Sequence, residues 1–188
     1  MDNLITVHRQ PYRALSPCVA CRPVIALDLG YSAKRPSCGL ACTGDKDGEA
    51  HVFGEAVRKT ATRLDEDRFG NAVLVLEAPL SMCHGPKGNP QLRGPFERGR
   101  GWYYGAGALT LIAARRFLWE LARLLPEGKE VALAEAFLSN KPAPVPHPID
   151  AEKIAGKFWD SEVKTLRVGC EPTSLLVAGV PPVKVFCH

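Results

Sequence analysis

The amino-acid sequence predicts an α/β domain whose mixed sheet combines three antiparallel strands with parallel strands and is flanked by helices. Three nearly continuous apolar runs, at residues 24–30, 72–80 and 131–138, have the length and composition of strands buried on both faces. Apolar residues recur at helical spacing over residues 103–125, between the second and third runs. Strands that alternate with helices are typical of parallel sheets, so the second half of the chain supplies the parallel strands.

The first run, VIALDLG at residues 24–30, opens the antiparallel part. Residues 37–43 and 50–57 have strand-like composition, and the polar, glycine-flanked segment between them is a turn signal. We therefore expect three successive antiparallel strands. Residues 58–71 are charged, and we expect a short helix there that ends at Gly70.

The end of the chain adds a helix and two strands. The proline-rich link KPAPVPHP precedes a closing helix from Pro148 to about Trp159, because proline suits the first turn of a helix. Residues 174–179 and 183–187 are predicted to pair as strands at an edge of the sheet or in a small annex. We divide the chain into an irregular arm (1–22), one domain (23–160) and a strand annex of that domain (161–188).

Composition limits the class of protein. Hydrophobic residues make up 46% and charged residues 23% of the 188 residues, which excludes a disordered or collagen-like chain. No apolar run approaches the roughly 20 residues of a membrane span, and no signal-peptide core is present, so we expect a soluble, cytoplasmic protein without a membrane partner. The formal net charge of +4 permits nucleic acid as a partner without requiring it.

The seven cysteines are expected to be reduced thiols, because their number is odd and their spacing is not that of a disulfide scaffold. Cys18 and Cys21 form a C-x-x-C motif, but no second such motif follows, and zinc is not expected. A thiol enzyme built on Cys83 and His84 is an alternative, although adjacency in sequence does not make a nucleophile and its base meet in space.

A carboxylate interrupts each apolar run: Asp28, Glu77 and Glu135. Burial of a carboxylate costs free energy unless it is compensated, and for Asp28 the turn amides after Gly30 are one possible compensation. Parallel strands end at one edge of a sheet, so Asp28 and Glu77 would converge there, and Asp150 in the closing helix would lie over them. Three carboxylates in one place repel one another unless a divalent cation shares them, and oxygen ligands suit Mg²⁺ or Mn²⁺.

These strings resemble the ribonuclease H-like superfamily, and specifically a family of predicted RNase H-like nucleases of unknown function. The resemblance covers roughly residues 23–160. It rests on Asp28-Leu29-Gly30, Glu77-Ala78-Pro79-Leu80, the arginines that follow, Glu135, and Asp150-Ala151. Glu77 stands where many members have aspartate, which resembles the Holliday-junction resolvase branch, and Glu135 is the candidate for a fourth carboxylate.

The resemblance implies a metal-dependent nuclease that hydrolyses phosphodiester bonds by a two-metal-ion mechanism. Asp28 would bridge the two ions, Glu77 and Asp150 would each complete one coordination sphere, and Glu135 would be a ligand or an acceptor behind the ligands. Nucleic acid, either DNA or RNA, would be the partner, and resolvase-like members often form homodimers.

Basic and aromatic residues are candidates for nucleic-acid contacts. Cations would hold phosphates, and an aromatic ring would stack on an unpaired base. The candidates are Lys34, Arg35, Lys87, Arg93, Arg98, Arg100 and Trp102. For any one of these residues, an exposed surface position without a ligand is the alternative.

Two other functions share this fold prediction. An actin-like or sugar-kinase-type ATPase also uses an Asp-Leu-Gly strand end near phosphate, but 188 residues leave no room for the second copy of the domain that such enzymes normally have. A binding module that keeps the fold without the metal chemistry is the other alternative. The mild charge favours such a module, whereas three carboxylates at a site for an anionic polymer oppose it.

Overall fold

A computed structural model describes residues 5–8, 22–84, 90–91, 105–126, 129, 131–138, 145–158, 172–174 and 183–184. The strands are β1 (Ile5–His8), β2 (Val24–Asp28), β3 (Cys38–Cys42), β4 (Glu49–His51), β5 (Val73–Glu77), β6 (Ser81–His84), β7 (Pro90–Gln91), β8 (Val131–Leu138), β9 (Pro172–Ser174) and β10 (Val183–Lys184). The helices are α1 (Phe53–Asp65), α2 (Ala106–Ala122) and α3 (His147–Lys157), and a 3-10 turn covers Asp67–Phe69.

The main sheet has the strand order β1-β8-β5-β2-β3-β4, and β10 also pairs with β8. Strands β2, β5 and β8 run parallel to one another. Strands β2, β3 and β4 form the expected antiparallel meander. The predicted α/β class, with a mixed sheet between helices, is therefore confirmed.

Each face of the sheet packs against different helices, because successive residues of a strand point to opposite faces. In β2, Ile25 and Leu27 belong to the apolar cluster that includes residues of α1 and α2. Val24 and Ala26 belong to the cluster that includes residues of α3. Asp28 continues the Val24–Ala26 alternation, which puts its carboxylate on the α3 face.

The prediction of a third strand over residues 50–57 is wrong for most of these residues. Strand β4 ends at His51, and α1 begins at Phe53, earlier than the helix predicted for residues 58–71. The buried residues of α1 follow the helical spacing i, i+3, i+4, and are Phe53, Ala56, Val57, Thr60, Ala61 and Leu64. This helical period decides against a strand, even though valine and phenylalanine are typical strand residues.

One expectation about the chain ends also needs correction. Residues 5–8, predicted to be irregular, form β1 and pair with β8 in antiparallel orientation. Most of the predicted strand pair at residues 174–179 and 183–187 lies outside the described residues; in the described part, β9 pairs with β6 in a small sheet and β10 pairs with β8 in the main sheet. Long-range pairing of this kind is not visible in local composition.

The helices α2 and α3 match the predicted helices at residues 103–125 and 148–159 to within a few residues. No described helix combines the length and the apolar character required to cross a membrane.

Candidate functional site

Asp28 and Glu77 stand side by side at the ends of the two central parallel strands. They are partners in the β2–β5 register, so their side chains leave the sheet on the same face and at the same edge. Asp28 is buried and Glu77 is half-buried. The predicted convergence of these two carboxylates is therefore present in the structure.

Asp150 reaches the same place from above the sheet. It lies in the first turn of α3 and is only 2% exposed. The first turn of a helix is a favourable place for a carboxylate because the partial positive charge of the helix N-terminus is near it. One carboxylate oxygen from each of Asp28, Glu77 and Asp150 lies within 4.8 Å of the other two.

The close approach of α3 to the sheet depends on Gly39. Gly39 is the register partner of Asp28 on β3, and a methyl group at this position would overlap the main-chain carbonyl of His147. Since glycine has no side chain, the first turn of α3 can lie directly over the end of β2. The position of Asp150 beside Asp28 follows from this contact.

His147 is a site residue that the sequence analysis missed. Its Nδ1 atom lies 2.6 Å from Asp28 Oδ2, and it opens α3 three residues before Asp150. Residues three apart on a helix share a face. This i, i+3 spacing of histidine and aspartate, immediately after a proline-rich link, is the signal that would have identified it.

A cleft of about 440 Å³ opens onto Asp28, Glu77 and His147, whereas Asp150 is buried behind its lining. Its lining residues are Asp28, Leu29, Gly30, Tyr31, Ser32, Ser37, Glu77, Thr110 and His147. The cleft is therefore bounded by the ends of β2 and β5, by α2 and by the first turn of α3. Two shallow grooves beside α1 and the end of α2 contain none of the three clustered carboxylates.

The prediction for Glu135 as a metal ligand or acceptor in this site is wrong. Leu133 of β8 belongs to the α1 and α2 cluster, whereas Ala134 and Ala136 belong to the α3 cluster, so Glu135 lies on the face opposite the three carboxylates. Its Oε2 atom accepts a hydrogen bond from the main-chain N–H of Leu80 at 2.6 Å, and its side chain is fully buried. Glu135 therefore stabilises the turn after β5.

The predicted nucleic-acid contacts are only partly described. Lys34 and Arg35 are exposed in the segment that follows the Asp28 strand end, close to the cleft. Lys87, Arg93, Arg98, Arg100 and Trp102 lie outside the described residues. Cys18 and Cys21 lie outside them as well.

The two buried thiols of β3 are not poised to react. Burial raises the pKa of the Cys38 thiol to about 11 and that of the Cys42 thiol to about 12. Because the thiolate is the nucleophile, neither residue has the lowered pKa of a catalytic cysteine.

A scan of family models and searches of curated proteins and of solved structures find no match to this chain. The resemblance to RNase H-like nucleases therefore remains a prediction, and function is inferred from the site itself.

Proposed function

We propose that this protein is a divalent-metal-dependent nuclease that hydrolyses phosphodiester bonds by the two-metal-ion carboxylate mechanism. The observation that carries the proposal is the cluster of Asp28, Glu77 and Asp150, whose oxygens lie within 4.8 Å of one another beside an open cleft.

The donor set fits the proposed cations. Hard carboxylate oxygens are the ligands that Mg²⁺ and Mn²⁺ take in proteins, and three neighbouring negative charges gain most from a shared cation. Asp28 is the register partner of Glu77 and belongs to the same cluster as Asp150, and the bridging role that the resemblance implies would fall to it. When bound, the cations would activate water and stabilise the leaving oxygen.

His147 would position Asp28 in this scheme. Its ring nitrogen contacts one Asp28 oxygen, so the carboxylate is held in one orientation as it faces the cleft. Groups that orient a metal ligand through a hydrogen bond typically change metal affinity or activity by about 10- to 100-fold when they are removed.

Nucleic acid, either DNA or RNA, is the proposed substrate. The exposed Lys34 and Arg35, in the segment that follows the Asp28 strand end, would hold phosphate groups. The resemblance to RNase H-like nucleases implies a mixed sheet with a three-stranded meander and parallel strands. The observed sheet agrees with this and supports the proposal, although it does not test the activity.

The test is cleavage of labelled single-stranded DNA, single-stranded RNA, an RNA–DNA hybrid and a four-way junction with Mg²⁺ or Mn²⁺. Asp28→Asn, Glu77→Gln and Asp150→Asn should each abolish metal-dependent cutting. Asp65→Asn is the matched control, because Asp65 is an exposed acid at the end of α1. Cutting that survives in Asp28→Asn, or that needs no metal, would contradict the mechanism.

A binding module without catalysis is the second candidate, and one observation favours it. Leu76 is the register partner of Glu135, so the next residue of β8, Ala136, lies beside Glu77. A fourth carboxylate on the same face as Glu77 would occupy this position, and alanine offers no ligand there. This candidate predicts that Mn²⁺ neither raises the melting temperature nor changes nucleic-acid processing.

A further inference from the structure

The segment from Gly30 to Ser37 forms one lip of the cleft and has a well-defined backbone. The N–H of Ser32 donates to Ser37 Oγ at 3.0 Å, and the carbonyl of Ser32 accepts from the N–H of Phe53 at 3.0 Å. A side chain at Gly30 would overlap Ser37, so the two ends of the segment are in close contact. These contacts within the protein fix the backbone of the lip.

The lip presents two exposed cations. Ser32 Oγ accepts hydrogen bonds from the N–H groups of Lys34 at 3.2 Å and of Arg35 at 2.9 Å, which orders the backbone below both side chains. In the described part of the chain, neither cation has an ion pair with a carboxylate. Both charges are therefore available to anionic groups that enter the cleft.

The lip also presents an aromatic ring. Tyr31 is 61% exposed, yet it lines the same cleft as Asp28 and Glu77. Its neighbours in sequence are the constrained Gly30 and Ser32. An exposed ring on an ordered backbone loses less conformational freedom on binding than a ring on a mobile loop would.

An aromatic ring followed by two cations matches what a single nucleic-acid strand offers. Exposed bases stack on aromatic side chains whatever their sequence, and the neighbouring phosphates contact lysine and arginine. A base inside a duplex is already stacked on both of its neighbours and cannot present its face to a protein ring without leaving the helix.

We propose that Tyr31 stacks on an unpaired base next to the phosphate that enters the carboxylate site, so that the substrate is single-stranded at that nucleotide. This inference rests on the proposed nuclease function and specifies its substrate class. Lys34 and Arg35 would contact the phosphates on either side of the stacked base.

The experiment measures binding of fluorescent 12-nucleotide single strands of DNA and of RNA, and of a blunt DNA duplex, by anisotropy. Ca²⁺ replaces Mn²⁺, and a gel checks that the strands stay intact. We expect Tyr31→Ala to weaken single-strand binding by about 10-fold or more, and Tyr31→Trp to keep it within about threefold, because stacking needs only an aromatic ring. Duplex affinity should not change, and the sugar that binds more tightly identifies DNA or RNA.

An abasic scan along the 12-mer locates the contact. For the native chain, loss of the base at one position of the strand should weaken binding. For Tyr31→Ala, loss of the base at that same position should not change the affinity. Trp119→Ala is the matched control, since Trp119 is an exposed aromatic residue on α2 that does not line the cleft. The logarithm of the association constant falls linearly with the logarithm of the salt concentration, and Lys34→Ala and Arg35→Ala should each reduce the magnitude of this slope by about 0.7.

The outcomes separate the two proposals. If the native chain binds and cuts single strands but Tyr31→Ala binds them equally well, or loses affinity for the duplex as well, the role of Tyr31 is wrong and the nuclease function stands. If the native chain neither binds nor cuts any nucleic acid, both proposals are wrong.

Discussion

At the residue scale, the contact between His147 Nδ1 and Asp28 Oδ2 joins the first turn of α3 to the end of β2. A carboxylate at the edge of a sheet has several rotamers, and a hydrogen bond from the His147 ring favours one of them. His147 therefore has a positioning role, separate from the charge that the three carboxylates supply.

Replacement of His147 by alanine should weaken Mn²⁺ binding by about 10- to 100-fold, because Asp28 loses the group that orients it. Isothermal titration with Mn²⁺ measures this loss. His147→Asn is the matched variant, since the asparagine amide can donate from a position close to Nδ1, and it should recover most of the affinity. Equal loss in both variants would argue against a positioning role.

Glu135 has a structural role on the opposite face of the sheet. Glu135→Ala would leave the buried N–H of Leu80 without its acceptor, and we expect the free energy of unfolding to fall by about 2–4 kcal/mol. Urea denaturation measures this change.

The milder variant Glu135→Gln keeps an acceptor oxygen and provides folded protein if the alanine variant is too unstable. In either variant the Mn²⁺ dissociation constant should stay within about threefold of the native value, since position 135 does not face the carboxylate site. A Mn²⁺ dissociation constant ten times that of the native chain, in a folded variant, would show that Glu135 contributes to the carboxylate site.

At the element scale, the position of α3 decides whether the site exists. Three carboxylates come together only if the first turn of α3 lies over β2 and β3, and α3 packs mainly against these two strands. Gly39 and Gly48 both lie where a side chain would overlap the main chain of His147 or Pro148. The glycines in and after β3 therefore help to build the site, although neither offers a ligand.

Gly39→Ala should shift the first turn of α3 and weaken both folding and Mn²⁺ binding, because the added methyl group overlaps the His147 carbonyl. We expect a loss of about 1–3 kcal/mol in unfolding free energy together with at least a tenfold loss in Mn²⁺ affinity. Thermal unfolding with and without Mn²⁺ measures both effects.

Gly156→Ala is the control in the same helix. A side chain at position 156 meets nothing within 4 Å, and alanine favours the helix by up to about 1 kcal/mol. This variant should be as stable as the native chain or more stable, with unchanged Mn²⁺ affinity. If Gly39→Ala behaved in the same way, the close approach of α3 would not be required.

At the scale of the whole molecule, burial of Cys38 and Cys42 makes the free energy of unfolding depend on pH in the alkaline range. The ordinary thiol pKa is 9.0, and burial raises it to about 11 for Cys38 and to about 12 for Cys42. The unfolded thiols lose their protons first as the pH rises. Their contribution to stability is complete below pH 9 and decreases towards pH 11 to 12.

The urea midpoint of the native chain should therefore fall more steeply between pH 9 and 11 than that of the double variant Cys38→Ala/Cys42→Ala. Lysine and tyrosine titrate in the same range in both proteins, so the difference between the two slopes isolates the thiols. Parallel slopes would show that the thiols are not shielded from water in the folded protein.

The apolar runs alone located β2, β5 and β8, since a strand buried on both faces needs hydrophobic residues at nearly every position. They also identified Asp28 and Glu77 as unusual, because a carboxylate in such a run has to be compensated. The helix from 147 to 157 was visible from its apolar stripe and its proline, and its first turn was the predicted place of Asp150.

Only the tertiary structure decided which acids share a face. Glu135 and Glu77 have the same appearance in sequence, but a shift of one residue in strand phase puts Glu135 on the other side of the sheet. The contact of His147 with Asp28 and the need for glycine at position 39 were decided at the same level. Composition and periodicity report which residues are buried in an element, whereas register and close approach between distant segments arise only when the chain is folded.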